Sequence, residues 1–286
     1  MKQIKISDVT MRQSTKAFSL SFKEKIELAK LLDGLGVSVI ELEGIGEART
    51  DALRVKSVAA AVRDSIIAVP VTLQKENVEA VWSALRLARH PRLQVCAPVS
   101  SVQMEYLYHK KPDAMRAAIC EILTACRAVC ADVEFIADDA TRSDPEFLQS
   151  VVAAAIEAGA TTVTVCDTAG TMLPEEFSAF IGQLKAAVPT LDSVSLGVSC
   201  CDTLSMADAC AIAAVSQGIG EIKTAAYPVD TASLSNVARI LAARGDSFGV
   251  SCGLRVAQLS RIMSQRRYSD CQLLRRLPYL RIRNRC

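Results

Sequence analysis

The chain has 286 residues, half of them hydrophobic and 22% charged, which excludes a disordered chain and suits one large domain or two ordinary ones. Its 33 basic and 31 acidic residues give a formal net charge of +2, and only 5% of residues are aromatic, so neither a nucleic-acid coat nor a base-stacking platform is expected. No apolar run reaches the ~18 residues of a membrane span, and the opening MKQIKISDVTMRQ lacks the apolar core of a secretory signal, so a cytoplasmic protein with eleven reduced cysteines is expected.

Short β-rich runs alternate with amphipathic helical stretches. The runs fall at residues 3–7, 38–42, 66–72, 93–97, 133–137, 162–166, 194–199 and 220–224. The first helix opens on a capping box, Ser21 with Glu24. Ile26, Leu28, Ala29, Leu31, Leu32 and Leu35 then repeat at helical spacing, and Gly36 ends it. Later helices are predicted over residues 48–63, 76–88, 113–130, 145–158, 174–188, 205–217 and 231–244. Asp144 reads as a helix cap, and Pro145 and Pro174 stand in first turns, where a missing amide costs nothing.

Eight strand–helix units predict a parallel sheet with right-handed crossovers. Eight units in about 250 residues close into an α/β (β/α)8 TIM barrel. The alternative, an open doubly wound sheet, would need a glycine-rich phosphate turn after an early strand, and residues 7–14 contain no glycine. The barrel domain is assigned to residues 1–265 and a basic tail to 266–286. That tail holds seven arginines and one aspartate, net +6, leaving −4 for the body. A helix over 271–277 would stop at Pro278. A solvated tail, contact with an acidic partner or nucleic acid, and a reading frame shifted near Gln265 each account for the abrupt change in composition.

Barrels of this kind place their sites at the carboxyl ends of the strands. Asp8, Thr10, Arg12 and Gln13 follow the first strand, Glu41 and Glu43 the second, and Val99 and Ser100 the fourth. Asp138, Asp139, Thr141 and Arg142 follow the fifth, and Asp167, Thr168 and Gly170 the sixth. Ser199, Cys200, Cys201 and Asp202 follow the seventh, and Lys223, Thr224 and Tyr227 the eighth. An arginine, acids and small hydroxyls converging on one rim suit a small carboxylate-bearing ligand. Cys126 and Cys130, four apart on one helix face, read as buried small hydrophobes, and no Cys-x-x-Cys occurs. Thiol chemistry at Cys201 would need a base, and with no histidine nearby the candidates are Glu41, Glu43 and Lys223.

Four segments carry a family resemblance. Ser7-Asp8-Val9-Thr10-Met11-Arg12-Gln13 resembles Asp-Thr-Thr-Leu-Arg-Asp-Gly, and Leu35–Glu41 resembles Leu-Gly-Val-x-x-Ile-Glu. Residues 138–144 match Glu-Asp-Ala-Thr-Arg-Thr-Asp, and Asp167–Pro174 matches Asp-Thr-x-Gly-x-x-x-Pro. Together they resemble the catalytic barrel of the isopropylmalate synthase, homocitrate synthase and hydroxymethylglutaryl-CoA lyase superfamily over residues 2–265. The resemblance implies an acyltransferase of the Claisen condensing type or a C–C lyase, a small carboxylate or acyl-CoA-type ligand, and a homodimer or a heterodimer with a paralogue. It also implies a divalent metal, but here the sequence departs. The ligand aspartate falls on Gln13, the His-x-His on Ser199 and Cys201, and the strand-eight asparagine near Tyr227. The strand-five Arg-x-Ser-x-Glu run reads Glu134-x-Ile136-x-Asp138, and Glu134 there would repel a substrate carboxylate.

The expectation is therefore a divergent member without the family's metal and with no cofactor. Arg12, Glu41 and Asp138 are the candidate catalytic residues, with Arg12 stabilising an enolate or carboxylate and Glu41 or Asp138 moving a proton. Gln13, Glu43, Ser100, Thr168, Ser199 and Cys201 are the candidate substrate-binding residues. Two alternatives stand beside it: a soft-metal site at Cys200 and Cys201, and a non-catalytic barrel serving as metabolite-binding or regulatory subunit of an active paralogue. Membrane and nucleic-acid partners are not expected.

Overall fold

The structure, a computed structural model, describes residues 1–13, 20–46 and 49–259. The strands are β1 (Lys2–Asp8), β2 (Val39–Glu41), β3 (Ile66–Val71), β4 (Pro91–Pro98), β5 (Val133–Asp138), β6 (Thr162–Asp167), β7 (Ser195–Cys200), β8 (Glu221–Thr224) and β9 (Val250–Cys252). The helices are α1 (Phe22–Leu35), α2 (Arg49–Ala61), α3 (Lys75–Leu85), α4 (Ser101–Tyr108), α5 (Pro112–Val129), α6 (Pro145–Glu157), α7 (Pro174–Ala187), α8 (Ala207–Ala213) and α9 (Leu234–Arg244). Strands β2 to β8 pair in sequence order, all parallel, and β1 closes the ring by pairing both β8 and β2. This is the predicted (β/α)8 TIM barrel. No described helix is long and apolar enough to cross a membrane.

Local chemistry sets the element ends as the sequence predicts. Ser21 accepts from the Glu24 amide, Glu24 reaches back to the Ser21 amide, and Gly36 ends α1 in the left-handed conformation. Asp144 caps α6 by accepting from Phe147 N at 2.9 Å. Helix α1 turns Leu28, Ala29, Leu32 and Leu35 inward, and α5 does so with Met115, Ile119, Ile122, Leu123 and Cys126. These faces pack on the outward residues of the strands, such as Ile6, Val95, Phe135 and Val165, all buried. The apolar core therefore lies between sheet and helices. Cys126 and Cys130 sit in it, as predicted.

Two elements go beyond the eight units. Helix α4 is inserted after β4, with Ser100 as its cap. Strand β9 adds to β1 along Lys2–Ile4, below the stretch Ser7–Asp8 that pairs β2. Three residues between a glycine turn and a loop carry too little periodicity to be read as a strand. Helix α9 starts three residues later than predicted, because Ser233 caps it while residues 225–232 form the loop over the β8 end. The basic tail of residues 266–286 and its helix over 271–277 lie outside the described residues.

Candidate active site at the barrel mouth

Strand alternation and register send a mostly polar set into the barrel, where branched apolar residues are usual. Gln94 lies beside Glu134, Cys96 beside Ile136, Ile136 beside Thr164, Cys166 beside Ser199, Gly197 beside Glu221, and Ser7 beside Lys223. Gly197 is required in this set, since a Cβ there would collide with the Thr164 hydroxyl. That hydroxyl donates to Glu134 at 2.6 Å.

A buried ionic lattice results. The Lys223 ammonium contacts Glu134 at 2.5 Å, Glu221 at 3.2 Å, and Glu41. Arg92, fully buried, pairs with Glu221 at 2.9 Å, Asp132 at 3.0 Å and Glu134 at 3.5 Å. Gln94 donates to Glu134 at 2.8 Å. Three fully buried carboxylates thus face three cations, Arg92, Lys223 and Arg12. Burial pushes the Glu41 carboxyl up, but Lys223 and Arg12 outweigh it and hold it well below the usual carboxylate range. Burial pulls Lys223 down, but Glu134, Glu41 and Glu221 raise it overall. Glu134 is therefore neutralised within the barrel and is not a free charge facing a ligand, which corrects the expected repulsion.

The mouth stands on this lattice. Arg12 donates through Nη1 to Glu41 Oε2 at 2.6 Å and through Nη2 to Cys96 Sγ at 3.5 Å, and its side chain stays 29% exposed. Ser7 donates to the other Glu41 oxygen at 2.7 Å. Asp138 lies at the top of β5 near Arg12. Burial pushes its carboxyl up to about 6, against the pull of Arg12 and a hydrogen bond from the Cys166 thiol. Asp8 also rises to about 6 through burial, although Thr10 and the Ala226 amide donate to it. Burial raises the Tyr108 phenol at the end of α4, and Asp138 adds to the shift.

The predicted site residues fall into three groups. Arg12, Asp138 and Gln13 stand at the rim, with Glu41 beneath them. Gln13 accepts from Val229 N at 3.0 Å, and its buried Nε2 has no hydrogen-bond partner among the described residues. Ser199 points into the barrel beside Cys166, and Cys201 lies half-buried beyond β7. The thiol of Cys201 is pushed up to about 11 by burial and by surrounding aspartates. Cys200 is buried in the opposite direction, near Cys210 of α8. The remaining three are engaged by neighbours. Ser100 donates to Asp139, and Thr168 accepts from Asp139 N at 2.9 Å. Glu43 is clamped by Lys25 at 2.5 Å and Arg54 at 3.1 Å. Gly170, at φ +62°, lets the β6 loop approach Cys201, where a Cβ would lie 2.6 Å from the Cys201 carbonyl oxygen.

Cys96, Cys166 and Tyr108 complete the mouth and were not singled out from sequence. The signal for the two cysteines was present: Arg92-Gln94-Cys96 and Thr162-Thr164-Cys166 alternate with apolar residues at period two.

The donors at the implied metal position do not suit a hard divalent ion. The Gln13 carbonyl is taken by a backbone amide, Ser199 offers a hydroxyl, and Cys201 is a thiol held protonated. Cys200 and Cys201 belong, among the described residues, to no group of three His, Cys, Asp or Glu close enough to share an ion. Among the described residues, one group of His, Cys, Asp or Glu lies close enough to share an ion: Glu41, Glu134 and Glu221, whose oxygens lie within 4.8 Å of one another. The Lys223 ammonium stands among those three.

Comparison with known proteins places this geometry. The HMGL-like family model matches residues 3–262. The 2-isopropylmalate synthase of Clostridium kluyveri is 30% identical over 269 residues, 92% of this chain and 52% of that protein. The 2-isopropylmalate synthase of Pyrococcus furiosus is 34% identical over 266 residues, 91% of this chain and 53% of that protein. The chain thus spans about half the length of these relatives. An HMG-CoA lyase from Acinetobacter baumannii, solved in complex with coenzyme A and 3-methylmalate, shares the fold with a TM-score of 0.73 and 12% identity, covering 99% of this chain and 98% of that one.

Proposed function

The chain belongs to the HMGL-like family, and from that premise we propose that it is a divergent isopropylmalate/homocitrate synthase-like protein that acts on a small carboxylate or acyl-CoA-type ligand without a divalent metal. The reaction is a Claisen-type acyl transfer or the reverse C–C cleavage. The named relatives support the class, and the ligands in the A. baumannii lyase support the ligand chemistry.

The observation that carries this reading is the placement of Arg12 near Asp138 at the barrel mouth, close enough for each charge to shift the other's titration. Arg12 is oriented by Glu41 and keeps exposed donor surface at the opening. Its guanidinium binds a carboxylate, or an enolate oxygen as charge develops there. Asp138 titrates at about 6, close to the pH at which a carboxyl exchanges protons most effectively with carbon acids in the cell. Glu41 is doubly ion-paired and held ionised, so it positions Arg12, and Asp138 is the group that moves the proton. The Gln13 Nε2, without a partner among the described residues, adds a neutral donor for a ligand oxygen. Ser199 and Cys201 line the far side, while Ser100, Thr168 and Glu43 fix the loops that shape the rim.

A second reading follows from the same exchange of ligands: a non-catalytic barrel that binds a metabolite or pairs with an active paralogue. The neutral donors at Gln13, Ser199 and Cys201 favour it. Free-thiol release from acetyl-CoA with a panel of 2-keto acids, and cleavage of 3-hydroxyacyl-CoA thioesters, decide between the two. The first reading expects turnover that persists in EDTA and is abolished in Arg12→Ala. It also expects kcat/KM to rise with pH through about 6 in the parent and to lose that inflection in Asp138→Asn. Turnover that requires added Mn2+ overturns the metal-free reading. No turnover, with calorimetric binding of the same acids, turns the assignment to the second. Sedimentation of the chain alone and mixed with a family synthase tests the expected homodimer or heterodimer.

A further inference from the structure

We propose that Lys223 is a built-in cation: its ammonium fills the cage formed by Glu41, Glu134 and Glu221, takes the place a divalent metal ion would otherwise occupy there, and holds Glu41 against Arg12. The three carboxylates are fully buried and their oxygens lie within 4.8 Å of one another, a spacing from which one hard cation is reached by all three. Such a group cannot be buried in its ionised form without positive charge close by. An ammonium has three N–H donors, and Lys223 gives contacts to all three glutamates, at 2.5 Å to Glu134, 3.2 Å to Glu221, and to Glu41.

The other cations do not fill the centre. Arg92 reaches Glu221 and Glu134 from the lower part of the barrel, where Asp132 also holds it. Arg12 reaches Glu41 alone, from the mouth side. Shortening Lys223 therefore removes the cation that all three glutamates share, and leaves hard oxygen donors around a gap that suits a divalent ion. This cage lies inside the barrel and shares no donor with Gln13, Ser199 or Cys201 at the mouth, so the inference does not depend on how the mouth itself works.

The test uses the full chain and Lys223→Ala, with Mn2+ uptake followed by loss of the free-ion EPR signal and stability by thermal melting. The parent is expected to take up no Mn2+ through the cage, and Glu134→Gln to leave its Mn2+ response unchanged. Lys223→Ala is expected to bind one Mn2+ and to gain about 5 °C in Tm with the ion at 100 times its Kd. Adding Glu134→Gln to that variant is expected to weaken uptake at least tenfold. A folded Lys223→Ala that ignores Mn2+ overturns the proposal, as does Mn2+ uptake by the parent that Glu134→Gln abolishes. If Lys223→Ala fails to fold alone, it is refolded with MnCl2 or with propylammonium chloride, which restores a free ammonium to the gap. Recovery with either supports the proposal, and failure with both overturns it.

Discussion

Replacing Arg92 with methionine tests whether the ionic lattice, and not apolar packing, organises the inside of this barrel. Methionine keeps much of the aliphatic stem and removes the guanidinium. The structure predicts a large cost, because Arg92 is fully buried and contacts Glu221 at 2.9 Å, Asp132 at 3.0 Å and Glu134 at 3.5 Å. Its loss leaves Glu221 and Glu134 with Lys223 as their remaining cation. Breaking a buried pair from one side costs about 3–5 kcal/mol. Urea unfolding followed by circular dichroism should therefore show a midpoint lowered by ~1 M or more with the slope unchanged. The charge-balanced double variant Arg92→Met, Glu221→Gln should recover a substantial part of the loss, since the stranded carboxylate is gone. A cost below about 1 kcal/mol for the single variant, or a double variant whose cost is the sum of both singles, would refute the reasoning.

Other outcomes follow from particular contacts. Gly170→Ala forces a Cβ onto a backbone at φ +62° and within 2.6 Å of the Cys201 carbonyl oxygen, so it should lower stability by about 1–3 kcal/mol, read by thermal melting. Asp8 has a folded-state value of about 6 against an ordinary 3.8, so its carboxyl favours folding below about pH 4, and that contribution is lost as pH rises through 6. The stability of the parent relative to Asp8→Asn should accordingly fall by roughly 2 kcal/mol between pH 4 and pH 7; a flat difference would contradict the assigned shift. Ser100→Ala removes a donor to the buried Asp139, and should cost about 1–3 kcal/mol in urea unfolding even with no ligand present, which separates a loop-fixing role from substrate contact.

Much of the fold was legible because it rests on local, periodic signals. The Ser21–Glu24 box, the Asp144 cap and Gly36 fix their helix ends through contacts within a few residues, so a linear reading finds them. The order of strand and helix then leaves few ways to bury the apolar faces, and the barrel follows. Helix α4 and strand β9 escaped that reading, since one is eight residues long and the other three, and β9 owes its place to β1, distant in sequence.

The site was legible as a set of strand ends but not as a set of roles. The sequence alone placed Arg12, Glu41 and Asp138 at the same end of the barrel, and Gln13, Ser199 and Cys201 where the resemblance implies metal ligands. In sequence Glu134 reads as a repelling carboxylate on strand five and Lys223 as a candidate base on strand eight, 89 residues apart and with no link between them. Closing the barrel puts them in contact and gives Lys223 its three partners, two of which also hold Arg92. That changes a repelling carboxylate into a neutralised one and Glu41 into a fixed anchor for Arg12. Tertiary structure decided these roles because charge balance in a buried space depends on which groups lie within a few ångströms, and that distance is set by strand register across the closed sheet.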